Sequence, residues 1–224
     1  MEASLSPKGL VARANAFNRD KGRAVQRLLC ALEMGVVDPD AVPLLSLLNS
    51  LEDYYTTSSC SGRIQVAASH LPGEKFRMIV VAKWHQPISP EELTEVVEAS
   101  GYEDIWLAVQ GPIFHVACRR LESALKLLAT ARKAGFKHSG IIWVGDRIVV
   151  EIVSADRVET PLKLSGVQVV SEDALDEFVA RANAVLKRAK KRLVKLESAV
   201  EEVLVRQALD EIPLSRAKDE KGNA

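Results

Sequence analysis

Apolar residues recur with two different periods along this chain of 224 residues, and the order of the periods restricts the fold. A helical period runs through the amino-terminal part, where Val25, Leu28 and Leu32 form one stripe that ends before Gly35. From Arg63 onward the period changes to the alternation of a β-strand, and helical stretches separate the strand-like runs. Helices and strands are therefore both expected within one folded unit.

The predicted strands form hairpins as well as connections through helices. The first hairpin joins the alternating Ile64, Val66 and Ala68 to residues 76–82 across a Pro72-Gly73 turn. Further strands are predicted at residues 105–109, 113–118, 141–144 and 148–153. We therefore expect one α+β domain of two layers, with a mixed β-sheet and helices largely on one face. A doubly wound nucleotide-binding sheet is not expected, because no Gly-x-Gly-x-x-Gly loop follows a strand.

A long helix is predicted from about residue 171 to residue 209. Its apolar positions follow a heptad spacing and comprise Val179, Ala182, Leu186, Ala189, Leu193, Leu196, Val200 and Val203. This stripe either packs along the sheet or pairs with another chain. The helix also carries a basic block of Lys187, Arg188, Lys190, Lys191, Arg192 and Lys195. The block indicates either a surface for phosphates or an ordinary solvated helix face.

The composition is that of a soluble globular protein, with 47% hydrophobic residues, 27% charged residues and a formal net charge of zero. The most apolar run, residues 78–82, is too short to cross a bilayer, and no signal-peptide pattern opens the chain. We expect no membrane association and a cytoplasmic location. Cys30, Cys60 and Cys118 are widely separated, which supports neither a disulfide framework nor a metal site.

Residues 54–64 read Tyr-Tyr-Thr-Thr-Ser-Ser-Cys-Ser-Gly-Arg-Ile, with six consecutive hydroxyl or thiol side chains before a Gly-Arg pair. So many donors and acceptors are typical of a binding surface, although a polar turn at the entry to a strand explains them as well. Gly62 permits close approach of a ligand or another backbone. Arg63 offers a fixed fork of donors that suits a carboxylate or a phosphate. A negatively charged partner is therefore implied.

This run resembles the third-step enzymes of wybutosine biosynthesis, which methylate a tricyclic guanine derivative beside the anticodon of phenylalanine tRNA. Residues 112–116, Pro-Ile-Phe-His-Val, and residues 135–141, Gly-Phe-Lys-His-Ser-Gly-Ile, are similar to later motifs of that family in order and spacing. The resemblance extends from about residue 17 to the helix that begins near residue 172. We take residues 1–210 as a single domain of this kind and expect residues 211–224 to be a disordered tail.

The resemblance implies an S-adenosyl-L-methionine-dependent tRNA N-methyltransferase. Its substrate would be N4 of the 7-aminocarboxypropyl-demethylwyosine base at position 37 of phenylalanine tRNA. Thr57, Ser59, Ser61, Arg63 and Ser139 are the candidate cofactor-binding residues, and Arg63 is equally suited to a tRNA phosphate. No metal is expected.

Methyl transfer to a ring nitrogen also needs a group that accepts the proton of that nitrogen. Histidine titrates near neutral pH and is the natural candidate. His85, His115 and His138 all lie at strand ends or within the motifs, and the sequence does not decide among them.

Two other functions remain open at this point. A non-catalytic tRNA-binding module would use the hydroxyl-rich run and the basic helix only to hold phosphates. A cysteine-dependent hydrolase would use Cys60 as its nucleophile, although no histidine is adjacent to it in the sequence. The oligomeric state is not determined by these patterns.

Overall fold

The computed structural model describes residues 7–71 and 77–206 of the chain. The helices are α1 (Pro7–Glu33), α2 (Val42–Ser50), α3 (Pro90–Ala99), α4 (Leu121–Lys133) and α5 (Glu172–Val200), with a 3-10 turn at Pro39–Ala41 and a π-helical end at Glu201–Val205. The strands are β1 (Tyr54–Cys60), β2 (Arg63–Ala68), β3 (Ile79–Trp84), β4 (Ile105–Gln110), β5 (Ile113–Cys118), β6 (Gly140–Val144), β7 (Ile148–Val153), β8 (Arg157–Leu164) and β9 (Val167–Gln168). The α+β class and the long carboxy-terminal helix are confirmed.

The strands form two sheets rather than the one mixed sheet that was expected. The first sheet has the order β1-β5-β7-β6, and the second has the order β3-β2-β4-β8-β9. All strand pairs in both sheets are antiparallel. The strands joined by α3, β3 and β4, do run parallel, but β2 lies between them and pairs with both. A helix crossover therefore does not produce a parallel ladder here.

Three short connections join strands of the first sheet directly to strands of the second. The connections are Ser61-Gly62 between β1 and β2, Gly111-Pro112 between β4 and β5, and residues 154–156 between β7 and β8. We call these three connections the seam. The second and third connections are hydrogen-bonded to each other, from the Gly111 amide to the Asp156 carbonyl at 2.8 Å and from the Ser154 amide to the Pro112 carbonyl at 2.9 Å. The two sheets are thus joined along one line.

Glycine is required at two places in the seam. Gly62 has a φ angle of +100°, which L-residues with side chains rarely adopt. A Cβ atom at Gly111 would lie 2.6 Å from Cβ of Ser154 and 2.9 Å from the Asp156 carbonyl oxygen. The close approach of the β4–β5 and β7–β8 connections therefore depends on the absence of a side chain at position 111.

The apolar stripe of α5 packs within the chain and spans both sheets. Its first half, including Val179 and Leu186, lies in the core of the second sheet, and its second half, including Leu193 and Leu196, lies in the core of the first. Of the two sequence interpretations, packing along the sheets is therefore the one observed. Helix α1 lies on the opposite face of the first sheet, where Phe17 contacts Tyr55 with ring centroids 5.0 Å apart.

No helix among the described residues is long and apolar enough to cross a membrane. The predicted Pro72-Gly73 turn, the beginning of the predicted strand at residues 76–82 and the predicted tail at residues 211–224 lie outside the described residues.

Candidate active site

A cluster of polar side chains lies where the β1–β2 connection of the seam meets α5. Asp38 accepts a hydrogen bond from the hydroxyl of Ser61 and lies 3.0 Å from Nδ1 of His85 through the same carboxylate oxygen, Oδ2. The ammonium of Lys190 donates to the Ser61 hydroxyl at 2.9 Å and pairs with Asp40. We call Asp38, Asp40, Ser61, His85 and Lys190 the seam cluster.

Local structure positions Asp38 for this role. Asp38 is the N-cap of the 3-10 turn Pro39–Ala41, and its Oδ1 accepts the amide of Asp40 at 3.2 Å. The capping bond holds the carboxylate in one orientation and leaves Oδ2 directed at Ser61 and His85. The N-cap of the turn therefore also serves the cluster.

The contacts of His85 determine which of its ring nitrogens carries the proton. Nδ1 lies 3.0 Å from Oδ2 of Asp38 and 3.0 Å from the carbonyl oxygen of Gly62. An ionised carboxylate and a carbonyl are both acceptors only, so Nδ1 must be the donor. In neutral His85 the lone pair is then on Nε2, which has no hydrogen-bond partner among the described residues. Such a nitrogen is able to accept a proton.

His85 opens onto a cleft of about 580 Å³ between the 3-10 turn, residues 85–87 and α5. Three lysines, Lys187, Lys190 and Lys191, line this cleft together with the acids Asp40 and Glu197. Apolar parts of the wall come from Pro39, Pro43, Pro87, Leu186, Leu193 and Val194. The volume lies within the range of small-molecule sites, and charges of both signs are available in it.

A buried ion-pair group ties α5 to the seam next to this cleft. Asp156 is 3% exposed, and its two carboxylate oxygens each lie 2.7 Å from one guanidinium nitrogen, of Arg188 and of Arg192. Ser154 donates to the same carboxylate at 2.9 Å. A buried carboxylate needs such partners because isolated charges are costly away from water. These contacts hold α5, and with it Lys190, at a fixed distance from the seam.

The predicted cofactor-binding residues of β1 and β2 are distributed over several environments. Ser61 is fully buried in the seam cluster. Thr57 and Ser59 are exposed on β1, which is an edge strand of the first sheet. Arg63 is half-buried, and its Nε donates to Oε1 of Gln110 at 3.0 Å. Of these four residues, only Ser61 belongs to the seam cluster.

His115 belongs to a second polar group, on the face of the first sheet that α1 partly covers. Its Nε2 lies 2.9 Å from Oε2 of Glu151, and its Nδ1 lies 2.8 Å from the hydroxyl of Ser58. Because the carboxylate only accepts, Nε2 is the donor and Nδ1 accepts the proton of Ser58. Both ring nitrogens of His115 are thus engaged, whereas Nε2 of His85 has no hydrogen-bond partner among residues 7–71 and 77–206.

The motif around residue 138 forms the connection from α4 to β6. His138 is exposed, and Ser139 is 2% exposed, with its hydroxyl accepting the amide of Val153 at 3.2 Å. The carbonyl of Ser139 accepts a hydrogen bond from Arg132 at 3.0 Å. Ser139 thus joins α4, β6 and β7. Neither residue lies in the seam cluster.

Sequence reasoning did not single out Asp38, Asp40, Lys190 or Glu151 as site residues. The pair Asp38-Pro39 is typical of a helix N-cap, and Lys190 is one member of the basic block. Their joint position follows from a contact between residues 150 apart in the chain, Asp40 and Lys190. No local pattern encodes such a contact.

The cysteines do not form a site among the described residues. Cys118 is fully buried, and burial raises the pKa of its thiol to about 12, so it is protonated at neutral pH. Cys60 is partly buried and pairs across the sheet with Ile113, so no histidine lies directly opposite it. Within residues 7–71 and 77–206 no group of three or more potential ligands is placed to hold a metal ion.

Comparison with known proteins agrees with the sequence resemblance. A protein of Thermococcus sibiricus named tRNA(Phe) 7-((3-amino-3-carboxypropyl)-4-demethylwyosine(37)-N(4))-methyltransferase is 40% identical over 188 residues, which are 84% of this chain and 95% of that protein. A protein of Archaeoglobus fulgidus with the same name is 41% identical over 167 residues, which are 74% of this chain and 83% of that protein. The solved structure of the PH1069 protein from Pyrococcus horikoshii superimposes with a TM-score of 0.78 at 38% identity. It matches 84% of this chain and 97% of that one.

The family model described as Methyltransferase TYW3 matches residues 19–202. This range contains both sheets, the seam cluster and all of α5. The chain belongs to the Methyltransferase TYW3 family.

Proposed function

We propose that this enzyme transfers the methyl group of S-adenosylmethionine to N4 of the 7-aminocarboxypropyl-demethylwyosine base of phenylalanine tRNA, with His85 as the general base. The relatives are named for that reaction and match this chain over most of its length. Membership in a methyltransferase family makes the chain an enzyme, which argues against the non-catalytic binding module. As tRNA modification is the proposed role, we place the enzyme in the cytoplasm.

The orientation of His85 is the observation that carries this proposal. Asp38 and the Gly62 carbonyl hold the proton on Nδ1, so Nε2 is available to take a proton. His115 is less suited because Ser58 and Glu151 occupy both of its ring nitrogens. His138 has no oriented partner among the described residues. Of the three candidate histidines, His85 therefore fits the role of general base best.

Each bond that forms in the proposed reaction is matched by a bond that breaks, and the released proton has an acceptor. When bound, S-adenosylmethionine supplies an electrophilic methyl group on a sulfonium. The base nitrogen forms a bond to the methyl carbon, the carbon–sulfur bond breaks, and the sulfur keeps the electron pair. The N4 proton goes to Nε2 of His85, and the carboxylate of Asp38 stabilises the resulting imidazolium. No metal enters this scheme.

The cleft beside His85 fits the proposed cofactor in size and charge. Its volume of about 580 Å³ suits a ligand of nucleoside size with an amino-acid tail. Lys190 is suited to hold the carboxylate of that tail, and Asp40 and Glu197 are suited to hold its ammonium group. Ser61 contributes by accepting a hydrogen bond from Lys190. The exposed Thr57 and Ser59 and the paired Arg63 remain candidates for contacts with the tRNA.

Nucleoside mass spectrometry tests the proposal directly. Phenylalanine tRNA that carries the demethylated base is incubated with the enzyme, with and without S-adenosylmethionine. We expect a gain of one methyl mass on that base only when the cofactor is present. His85→Gln should lower the rate at least about 100-fold, which is the usual contribution of a general base. The matched control, His138→Gln, should retain the wild-type rate.

Two results would contradict the proposal in different ways. Failure of the folded wild-type enzyme to add a methyl group would refute the assigned reaction. Full activity of His85→Gln alongside an active wild type would refute only the assignment of His85 as the base.

A further inference from the structure

The basic block of α5 is divided between two roles. Arg188 and Arg192 pair with the buried Asp156, and Lys190 pairs with Asp40 in the seam cluster. The remaining three residues, Lys187, Lys191 and Lys195, are exposed and form no ion pair with any residue that the structure describes. Ion pairs within the protein therefore explain the positive charge of three of the six residues. They do not explain the positive charge of the other three.

The three exposed lysines lie on one line along the helix. They are four residues apart, so successive side chains project from the same face with a rise of about 6 Å per step. Like charges at this spacing destabilise a helix slightly, so the arrangement is not explained by helix stability. We call Lys187, Lys191 and Lys195 the lysine ladder.

The ladder begins at the candidate active site and leads away from it. Lys187 and Lys191 line the cleft onto which His85 opens. Lys191 and Lys195 line a second cleft, of about 680 Å³, between α5 and the end of α4. This second cleft also receives Lys133, Arg188 and Arg192, with Glu202 as its only acidic lining residue among the described residues. Lys191 belongs to both clefts and joins them into one basic track.

We propose that the lysine ladder binds consecutive phosphates of the tRNA strand that carries the target base, so that the backbone runs from the His85 cleft towards the end of α4. This inference rests on the proposed function and names the surface that the substrate occupies. A nucleic-acid strand presents one negative charge per nucleotide, and a line of lysines with no ion-pair partner among the described residues offers it a row of positive charges. Phosphate contacts of this kind position the substrate and do not read its sequence. The overall charge of zero does not oppose binding, because the acids of α5 and its π-helical end lie at residues 172–177 and 197–202, and of these acids only Glu197 and Glu202 line the two clefts.

The test separates tRNA binding from catalysis. Binding of an unmodified phenylalanine tRNA transcript is measured by fluorescence anisotropy at salt concentrations from about 0.1 M to about 1 M. The triple variant Lys187→Ala, Lys191→Ala and Lys195→Ala should lower the slope of log Kd against log salt by about 2, since each single-strand contact contributes about 0.7. Affinity at the low-salt end should fall about 100-fold, and the difference from wild type should vanish at the high-salt end.

A matched control removes the same charge elsewhere. Arg23, Arg27 and Lys83 are exposed on α1 and β3, outside both clefts. Their combined replacement by alanine should leave the salt slope unchanged. Equal losses of affinity in the two triple variants, or no loss in the ladder variant, would overturn the assignment of this surface.

Methyl transfer provides the second measurement. The ladder variant should methylate the tRNA slowly at subsaturating concentration, but it should methylate the free nucleoside of the demethylated base at the wild-type rate. A loss with both substrates would mean that the lysines act within the His85 cleft, which would overturn their role as a phosphate track. If the wild-type enzyme bound tRNA through the ladder and methylated neither substrate, the proposed reaction would fail while the ladder assignment stood.

Discussion

At the scale of single residues, one carboxylate oxygen organises the candidate active site. Oδ2 of Asp38 lies within hydrogen-bond distance of both Ser61 and His85 and thereby holds the His85 proton on Nδ1. The proposed mechanism needs the proton on Nδ1 so that Nε2 carries the lone pair, and the Asp38 carboxylate provides the charged one of the two acceptors at Nδ1, the other being the Gly62 carbonyl. The site thus depends on the chemical nature of residue 38 as well as on its size.

Asp38→Asn tests that dependence while keeping the side-chain volume. An amide can donate to Nδ1, which would place the imidazole proton on Nε2, so we expect methyl transfer to fall about 100-fold or more. Asp40→Asn is the matched control, since it removes a more exposed carboxylate that pairs with Lys190 and does not contact His85. Initial rates of methyl transfer to modified tRNA measure the effect of each substitution. Circular dichroism checks that both variants are folded. Undiminished activity of Asp38→Asn would show that the tautomer is not controlled by this residue.

Gly111 is the second position where one residue type is required. Because Gly111 has no side chain, Ser154 can pack closely against it. A Cβ atom added at position 111 would lie 2.6 Å from Cβ of Ser154. Gly111→Ala should therefore destabilise the fold by about 1–3 kcal/mol through overpacking. Gly140→Ala is the control, because a Cβ added at position 140 would meet no atom of the described residues within 4 Å. Urea denaturation of both variants measures the difference, and equal midpoints would contradict the close packing of the seam.

At the scale of elements, α5 is the element that connects the two sheets and the site. Its apolar stripe contributes to both hydrophobic cores, while Arg188, Lys190 and Arg192 contact the seam and the 3-10 turn. The helix therefore fixes the position of Lys190 relative to Ser61. Its exposed face remains available for the substrate.

Asp156→Ala should loosen this connection. Two guanidinium groups would lose their carboxylate, and we expect a destabilisation of about 2–3 kcal/mol, below the usual range for buried pairs because Arg188 is 60% exposed. Arg157→Ala removes an exposed pair with Glu159 and should change stability by less than about 1 kcal/mol. Thermal and urea unfolding compare the two variants. A smaller effect for Asp156→Ala than for Arg157→Ala would show that α5 is held by its apolar contacts alone.

At the scale of the whole molecule, stability should depend on pH through Asp53. Its carboxylate joins the turn before β1 to the start of α4, through Arg119 at 3.0 Å, Arg120 at 2.7 Å and Ser123 at 2.5 Å. Burial acts to raise the pKa of Asp53, but the hydrogen bonds from Ser123 and Arg120 outweigh it and hold the pKa below its ordinary value. An acid whose pKa is lower in the folded state than in the unfolded state stabilises the protein at pH values above its unfolded-state pKa.

The pH dependence follows from that sign. At pH 7 the stabilisation by Asp53 is fully present, and it is lost as pH falls from about 4 through the lowered pKa of the folded state. Asp53→Asn should therefore cost about 1–2 kcal/mol at neutral pH and progressively less in acid. Urea unfolding of wild type and variant at several pH values checks this. A stability difference that is independent of pH would contradict the role of the ionised carboxylate.

Local patterns in the sequence predicted most of the elements correctly. The strand predicted at residues 113–118 coincides with β5, and the strand predicted at residues 148–153 coincides with β7. Strand β8 was not predicted, since Pro161 and alternating charges obscure its period. The run at residues 54–64, which predicts a binding surface, begins with the edge strand Tyr54–Cys60, and the β propensity of its Tyr and Thr residues explains that strand.

The sequence by itself determined the elements, the apolar stripe of α5 and the motifs that resemble the family, because each of these is encoded by neighbouring residues. Only the tertiary structure decided that the strands divide into two antiparallel sheets and that Asp38, Ser61, His85 and Lys190 meet at the seam. It also decided which lysines of the basic block are paired and which are free among the described residues. These features depend on contacts between residues far apart in the chain, and such contacts form only when the two sheets and α5 share one core.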